Sequence, residues 1–180
     1  MARVILVTGG SRSGKSGYSQ ARAEALPGPR ACLATCPVID AEMAERVRKH
    51  REARQGGGWE TIEESHDLAG AINRAADFRV LLVDCLTLWM NNLFYAAELE
   101  KRRFTEETMV ERARELITSA AAFPGTVFFI ANELGMGIIP EGEQTRRFRD
   151  CAGRLNQFVA AAADEVVFMV SGLPLVLKGP

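Results

Sequence analysis

A C-x-x-C pair, an excess of either charge and long apolar runs are all missing from this chain, and each absence argues against a class of function. The four cysteines, Cys32, Cys36, Cys85 and Cys151, include no C-x-x-C pair. Reduced thiols are therefore expected, with a zinc site on Cys32 and Cys36 as the lesser reading. Neither sign of charge is in excess: 22 Lys and Arg face 23 Asp and Glu, a formal net charge of -1. Without a basic excess there is no electrostatic footprint for nucleic acid, and there is no acidic tail. Stretches such as Val80–Val83 and Thr126–Ala131 are strand-sized, far short of the roughly 20 apolar residues of a transmembrane helix. A strand expected from Val4 leaves no space for a signal peptide, so the expected compartment is the cytoplasm. Internal repeats and low-complexity tails are missing too.

What the sequence does contain is alternation. Strands are expected at Val4–Thr8, Arg30–Ala34, Val80–Asp84, Thr126–Ala131 and Val166–Val170, with a short one at Leu175–Lys178. Each is rich in Val, Leu, Ile or Phe with little polar alternation, as suits strands buried on both faces. Helical patterns lie between them. Gly17 to Leu26 is one; Asp40 caps another that carries Met43 and Val47 on one face. Ser65 or Asp67 caps a third through Leu68 and Ile72. Thr105 begins a fourth, with Glu106 and Glu107 in its first turn and Met109, Ala113, Leu116, Ile117 and Ala120 on its inner side. Glu143 to Ala163 forms the last. At 180 residues the chain is expected to be one domain, residues 1–180, with a mainly parallel α/β sheet flanked by helices. A ligand belongs at the carboxyl ends of such strands.

One octapeptide says what kind of ligand. Gly9-Gly10-Ser11-Arg12-Ser13-Gly14-Lys15-Ser16 fits G-x-x-x-x-G-K-[ST], between an expected strand and an expected helix. Glycines let successive backbone N–H groups turn inward around phosphates, and the helix start adds its dipole. Lys15 is placed to reach the β- and γ-phosphates, and the Ser16 hydroxyl to ligate Mg²⁺. Asp84 closes the run Val80–Val83 and reads either as the carboxylate that positions Mg²⁺ or as the cap of a following helix.

Other residues leave more than one reading. His50 ends the run Arg46-Val47-Arg48-Lys49, whose cations favour the neutral imidazole. It is either a solvated surface group or a nucleophile toward phosphorus. His66, amid Glu63, Glu64 and Asp67, reads as a helix-start residue. After the fourth strong strand comes Asn132-Glu133-Leu134-Gly135-Met136-Gly137-Ile138-Ile139-Pro140, a shaped loop at the site's edge. Arg146, Arg147, Arg149 and Arg154 then make either a solvated basic face or a grip on a phosphate or a large polar substrate. On the octapeptide and Asp84 alone, a small-molecule kinase and a nucleotide-dependent regulatory or assembly ATPase remain open.

In order and over nearly its whole length, the chain resembles the bifunctional adenosylcobinamide kinase/adenosylcobinamide-phosphate guanylyltransferases of cobalamin biosynthesis. The resemblance rests on Val7–Ser16, Ala34-Thr35-Cys36, Asp40–Met43, Arg46–Arg51, Trp59–Glu64, Leu82–Thr87, Asn132–Pro140, Phe148–Gln157, Ala161–Val166 and Val170-Ser171-Gly172. It implies a P-loop NTPase (RecA-like) fold, with adenosylcobinamide, its phosphate, ATP, GTP and Mg²⁺ as partners. It implies that His50 becomes guanylylated, with Lys15 as the other catalytic residue. Ala34, Thr35, Cys36, Arg51, Glu52, Ala53, Arg54, Glu63 and Asp84 are implied to hold the guanine nucleotide beside the phosphate loop. Whether Asp84 serves metal or guanine stays open. The resemblance further implies a homo-oligomer. A helix from Glu98 to Ala122 would provide such a contact, or its apolar side covers its own sheet.

Overall fold

The structure is a computed structural model that describes residues 2–37, 44, 45, 48, 52 and 54–179. Strand β1 (Arg3–Gly9) leads into α1 (Lys15–Glu24), followed by β2 (Arg30–Ala34) and β3 (Trp59–Glu63). Then come α2 (Leu68–Arg74), β4 (Val80–Asp84), α3 (Leu86–Leu99), α4 (Glu106–Ala122), β5 (Thr126–Ile130), α5 (Glu143–Ala162), β6 (Glu165–Val170) and β7 (Leu173–Lys178). The strands form one seven-stranded sheet in the order β3-β2-β4-β5-β1-β6-β7. Every neighbouring pair is parallel except β6 and β7. This is the mainly parallel α/β sheet of a P-loop NTPase.

The core divides by the pleat. Leu6, Leu33, Leu81, Val83 and Phe129 face one side and pack with Ile72, Met90, Met109, Leu116 and Leu155 of the helices. Ile5, Val7, Cys32, Leu82, Phe128 and Val167 face the other, where Tyr18 and Ala23 of α1 meet them. Both faces of the central strands are thus covered, which explains their unbroken apolar runs. Asp67 caps α2 by accepting from the Gly70 N–H at 2.9 Å, and Thr105 caps α4 by accepting from Thr108 N–H at 3.3 Å. No helix among the described residues is long and apolar enough to cross a membrane.

Three elements differ from the sequence expectation. Trp59–Glu63 is a strand missing from those expected: it is a half-buried edge paired with β2, so its polar residues obscured it. Leu86–Leu99 is a helix that amphipathic periodicity did not reveal. It buries Leu86, Trp89, Met90, Phe94 and Ala97 along one stripe, but Leu88, Tyr95 and Leu99 on its other side are apolar too, so no polar face sets the stripe off. The stretch given as a helix from Glu98 to Ala122 is instead the end of α3, a reversal through Lys101 at φ 55, and α4, which starts after Thr105 as its cap predicts. The apolar side of α4 covers its own sheet, with Met109, Ala113, Leu116 and Ala120 buried. The helix expected after Asp40, with Met43 and Val47, lies outside the described residues.

Candidate functional site

The chain leaves β1 at Gly9 and turns through Gly14 into α1. Gly9 sits at φ 144, and a Cβ there would lie 2.4 Å from the Met169 carbonyl oxygen, so the β1–β6 approach requires glycine. Gly14 stands at the N-cap of α1 at φ 95, with no side chain capping the helix. The first amides of α1 are therefore left to an external acceptor. The Ser13 carbonyl accepts from Gly172 N–H at 3.0 Å, tying the loop to the β6–β7 turn.

Lys15 lies beneath this loop and is only 7% exposed. Its Nζ donates to the carbonyls of Gly9 at 3.0 Å and Gly10 at 2.5 Å. Burial pushes the ammonium below its ordinary pKa, opposed by its attraction to Cys85 and Asp84. A cation held by loop carbonyls, with its water largely removed, is prepared for an anion that can take over those contacts.

A cavity of about 610 Å³ opens beside it, within the size range of small-molecule sites. Ser11, Arg12, Ser13, Gly14, Lys15 and Ser16 form one wall. Asp84, Cys85 and Leu88 enter from the end of β4 and the start of α3, and Ile130 and Asn132 from the end of β5. Cys32, Ala34 and Cys36 come from β2 and its exit, and Arg54 from the connection to β3. The cavity thus sits at the carboxyl ends of four parallel strands, where open α/β sheets take their ligands. Burial pushes the Cys32 and Cys85 thiols up to about 12, so at neutral pH they are protonated lining groups rather than nucleophiles. Arg54 is 7% exposed, and its Nε has no hydrogen-bond partner among the described residues. A buried guanidinium in that condition calls for an anion or a carbonyl-rich ligand.

Ser16 and Asp84 both line this cavity, and a hydroxyl with a carboxylate is a hard-oxygen donor pair. Among the described residues no group of three or more His, Cys, Asp or Glu could hold a metal by itself. The pair fits Mg²⁺, which takes one or two protein oxygens and completes its shell with phosphate and water.

Comparison with known proteins agrees with this geometry. The cobinamide kinase / cobinamide phosphate guanyltransferase family matches residues 5–177. This chain belongs to that family. The bifunctional adenosylcobalamin biosynthesis protein CobP of Pseudomonas aeruginosa is 39% identical, over 97% of this chain and 96% of its own length. The proteins named CobU, of the same description, are 38% identical in Escherichia coli and 40% in Salmonella typhimurium. Both alignments cover 97% of this chain and 99% of the relative.

In this cobinamide kinase/guanyltransferase family member, the site residues expected from sequence divide into three groups. Ser11 to Ser16, Ala34, Cys36, Arg54 and Asp84 converge on the cavity, with Gly9 and Gly10 supplying the loop backbone behind Lys15. Thr35, Glu52 and Glu63 are not among its lining residues. Thr35 is fully buried: its Oγ1 donates to the Cys85 carbonyl and accepts from Cys85 N–H, both at 2.8 Å, fastening β2 to the β4–α3 junction. Glu52 is exposed and accepts from Arg48, and Glu63 is exposed at the end of β3 opposite Ala34. His50, Arg51 and Ala53 lie outside the described residues. His66 stands before α2, where its carbonyl accepts from Trp89 Nε1 at 2.7 Å. Gly17, Cys32, Cys85, Leu88 and Ile130 also line the cavity, and sequence reasoning did not assign them there. For Cys85, Leu88 and Ile130 the available signal was position at or just past a strand's carboxyl end.

Proposed function

We propose that this chain carries out two consecutive reactions on one corrinoid substrate. First, the terminal hydroxyl of the aminopropanol arm of adenosylcobinamide attacks the γ-phosphorus of ATP or GTP, and the bond to the β–γ bridging oxygen breaks. The hydroxyl proton passes to solvent and the nucleoside diphosphate leaves. Second, the neutral imidazole of His50 attacks the α-phosphorus of GTP and expels pyrophosphate, forming a P–N bond. A phosphate oxygen of adenosylcobinamide phosphate then attacks that phosphorus. The P–N bond breaks, His50 returns, and adenosylcobinamide-GDP is released. Covalent catalysis suits the exchange because pyrophosphate and the corrinoid need not share the site.

The observation that carries this reading is one cavity on which a glycine loop, a desolvated Lys15 and an under-bonded Arg54 converge. Lys15 exchanges its loop carbonyls for phosphate oxygens and neutralises charge that builds as the γ-phosphoryl group transfers. Amides at the start of α1 hold the phosphates in line. Arg54, Ala34 and Cys36 hold the guanine nucleotide from the β2–β3 side. Ser16 and Asp84 would hold Mg²⁺, which supplies charge neutralisation between neighbouring phosphate oxygens. Both reactions are assigned to one domain spanning residues 1–180, in the cytoplasm where the nucleotides are supplied. A homo-oligomer is part of this proposal, supported by β7, an edge strand whose Leu173, Leu175 and Leu177 are 71%, 55% and 59% exposed.

The test is a pair of assays on one variant. Incubation with α-phosphate-labelled GTP is expected to leave an acid-labile, base-stable GMP on wild type and none on His50→Ala. Phosphorylation of adenosylcobinamide by the variant should stay within a few-fold of wild type. Label retained on His50→Ala, or no label on a wild type that binds GTP, sinks the histidine intermediate.

A further inference from the structure

The loop from Asn132 to Pro140 is held at both ends. Asn132 N–H donates to Thr87 Oγ1 at 2.7 Å, and its carbonyl accepts from Asn156 Nδ2 at 3.1 Å. Glu133 N–H donates to the Gly9 carbonyl at 3.0 Å, and Gly135 N–H to Glu133 Oε1 at 2.6 Å. At the far end Arg146 donates to the Pro140 carbonyl at 3.0 Å. Between these ties Met136, Ile138 and Ile139 are 79%, 96% and 66% exposed. Three large apolar side chains presented to water by an anchored loop mark a contact surface rather than a core that failed to close.

Beside them is a second cavity of about 380 Å³, lined by Gly135, Glu106, Arg149, Asp150, Arg154 and Gln157. Arg154 donates to Glu106 at 3.0 Å and to Gln157 at 3.2 Å, so its polar groups are already ordered. Asn132 lines the first cavity and Gly135 the second. Three Cα–Cα steps separate them, which limits their distance to about 11 Å. One short loop therefore joins a nucleotide-sized cavity to a polar cavity with an apolar tip.

The chemistry of this second surface is mixed in a telling way. Arg149 and Arg154 bring donors, Glu106 and Asp150 bring acceptors and Gln157 brings both, so a polyanion meets opposing carboxylates there. Neutral carboxamides, which both donate and accept, suit it better. We propose that Met136, Ile138, Ile139 and this second cavity dock the acceptor, a large macrocycle with an apolar face and a rim of carboxamides. Its side arm then extends along the Asn132–Gly135 segment into the first cavity. This inference rests on the corrinoid reading of the proposed function.

The test uses Ile138→Ser/Ile139→Ser, two exposed positions whose change leaves the core untouched. With adenosylcobinamide and GTP as substrates, KM for the corrinoid is expected to rise at least tenfold. KM for GTP and GMP labelling of the protein should stay within about twofold, which also shows that the variant is folded. A second variant, Gln157→Ala, is expected to raise the corrinoid KM about threefold to tenfold through the polar cavity alone. Unchanged corrinoid KM in both variants, on a wild type that turns the corrinoid over, overturns the docking surface and leaves the proposed function standing. A wild type that binds GTP but never uses adenosylcobinamide overturns both. Should the double variant lose oligomeric mass in sedimentation with unchanged corrinoid KM, the tip is a subunit contact and the proposal falls.

Discussion

The wall of the first cavity made by β1, its loop and α1 is held largely by contacts among near neighbours, Lys15 bonding to Gly9 and Gly10 six and five residues away. The facing contribution from β2 brings together Ala34, Cys36 and Arg54, with up to nineteen residues of chain between them. The first wall carries its geometry in local backbone conformation, with Gly9 where a side chain would collide with Met169. The second depends on where a long connection returns to the sheet, which local sequence does not dictate. A motif can describe the first completely and the second hardly at all.

Removing the cation from the local wall should have the largest effect. Lys15→Ala is expected to lower kcat/KM for corrinoid phosphorylation by about 1,000-fold or more, equivalent to roughly 4 kcal/mol of transition-state stabilisation. Lys15→Arg should not rescue it, because the planar guanidinium does not fit the carbonyl cradle that holds a compact ammonium. Steady-state kinetics of both variants check this. Activity of either variant within tenfold of wild type would remove Lys15 from the reacting phosphates.

On the other wall the expected loss is smaller and lies in binding. Arg54→Ala should raise the Kd for GTP about 10- to 100-fold, the usual worth of a desolvated charge-assisted contact. Titration calorimetry with GTP and with inorganic triphosphate separates two outcomes. If triphosphate binding weakens equally, Arg54 acts on phosphate; if only GTP weakens, it acts on the nucleoside. Unchanged affinity for both would mean that the buried guanidinium serves the fold alone, and the two walls would differ in function as well as in construction.

The same contrast accounts for what could be read in advance. Strands β1, β2, β4, β5 and β6 were legible because burial on both faces leaves unbroken apolar runs. Residues from Ser11 to Ser16 were legible because phosphate binding imposes residue types at fixed spacing. Edge strand β3 was not, since an edge can be polar, and neither was α3, since apolar Leu88, Tyr95 and Leu99 on its other side blur its stripe. Thr35 belongs to a segment on which the family resemblance rests, yet its hydroxyl is spent on Cys85. Resemblance marks the segment, and only the fold separates the residue that faces the cavity from the one that secures it. Asn132 and Gly135 are three residues apart yet line different cavities, a division that no spacing rule predicts.

The smallest effect on turnover, and a measurable one on stability, is expected behind the local wall. Glu165 of β6 has a side chain only 4% exposed and pairs with Arg22 and with Arg3 at 2.9 Å. Arg22 lies in the last turn of α1, so this carboxylate ties the helix that follows the phosphate loop to the sheet beneath it. The hydrogen bond from Arg22, against the opposing cost of burial, holds the Glu165 carboxyl below its ordinary value of 4.5. A depressed folded-state pKa means that the unfolded chain takes up the proton first as pH falls. The stabilisation is therefore complete above the ordinary carboxylate value and disappears as pH drops through the folded one. Glu165→Gln is expected to cost about 2 kcal/mol in urea unfolding at pH 7, less than a fully buried pair because both arginines are partly exposed. Its GTP affinity should stay within about threefold, since the loop keeps its own hydrogen bonds. The stability gap between wild type and variant should narrow as pH falls below the carboxylate range. A gap that stays constant down to acid unfolding would show that Glu165 contributes shape rather than charge, and the helix would then be anchored by its packing on the apolar face of the sheet.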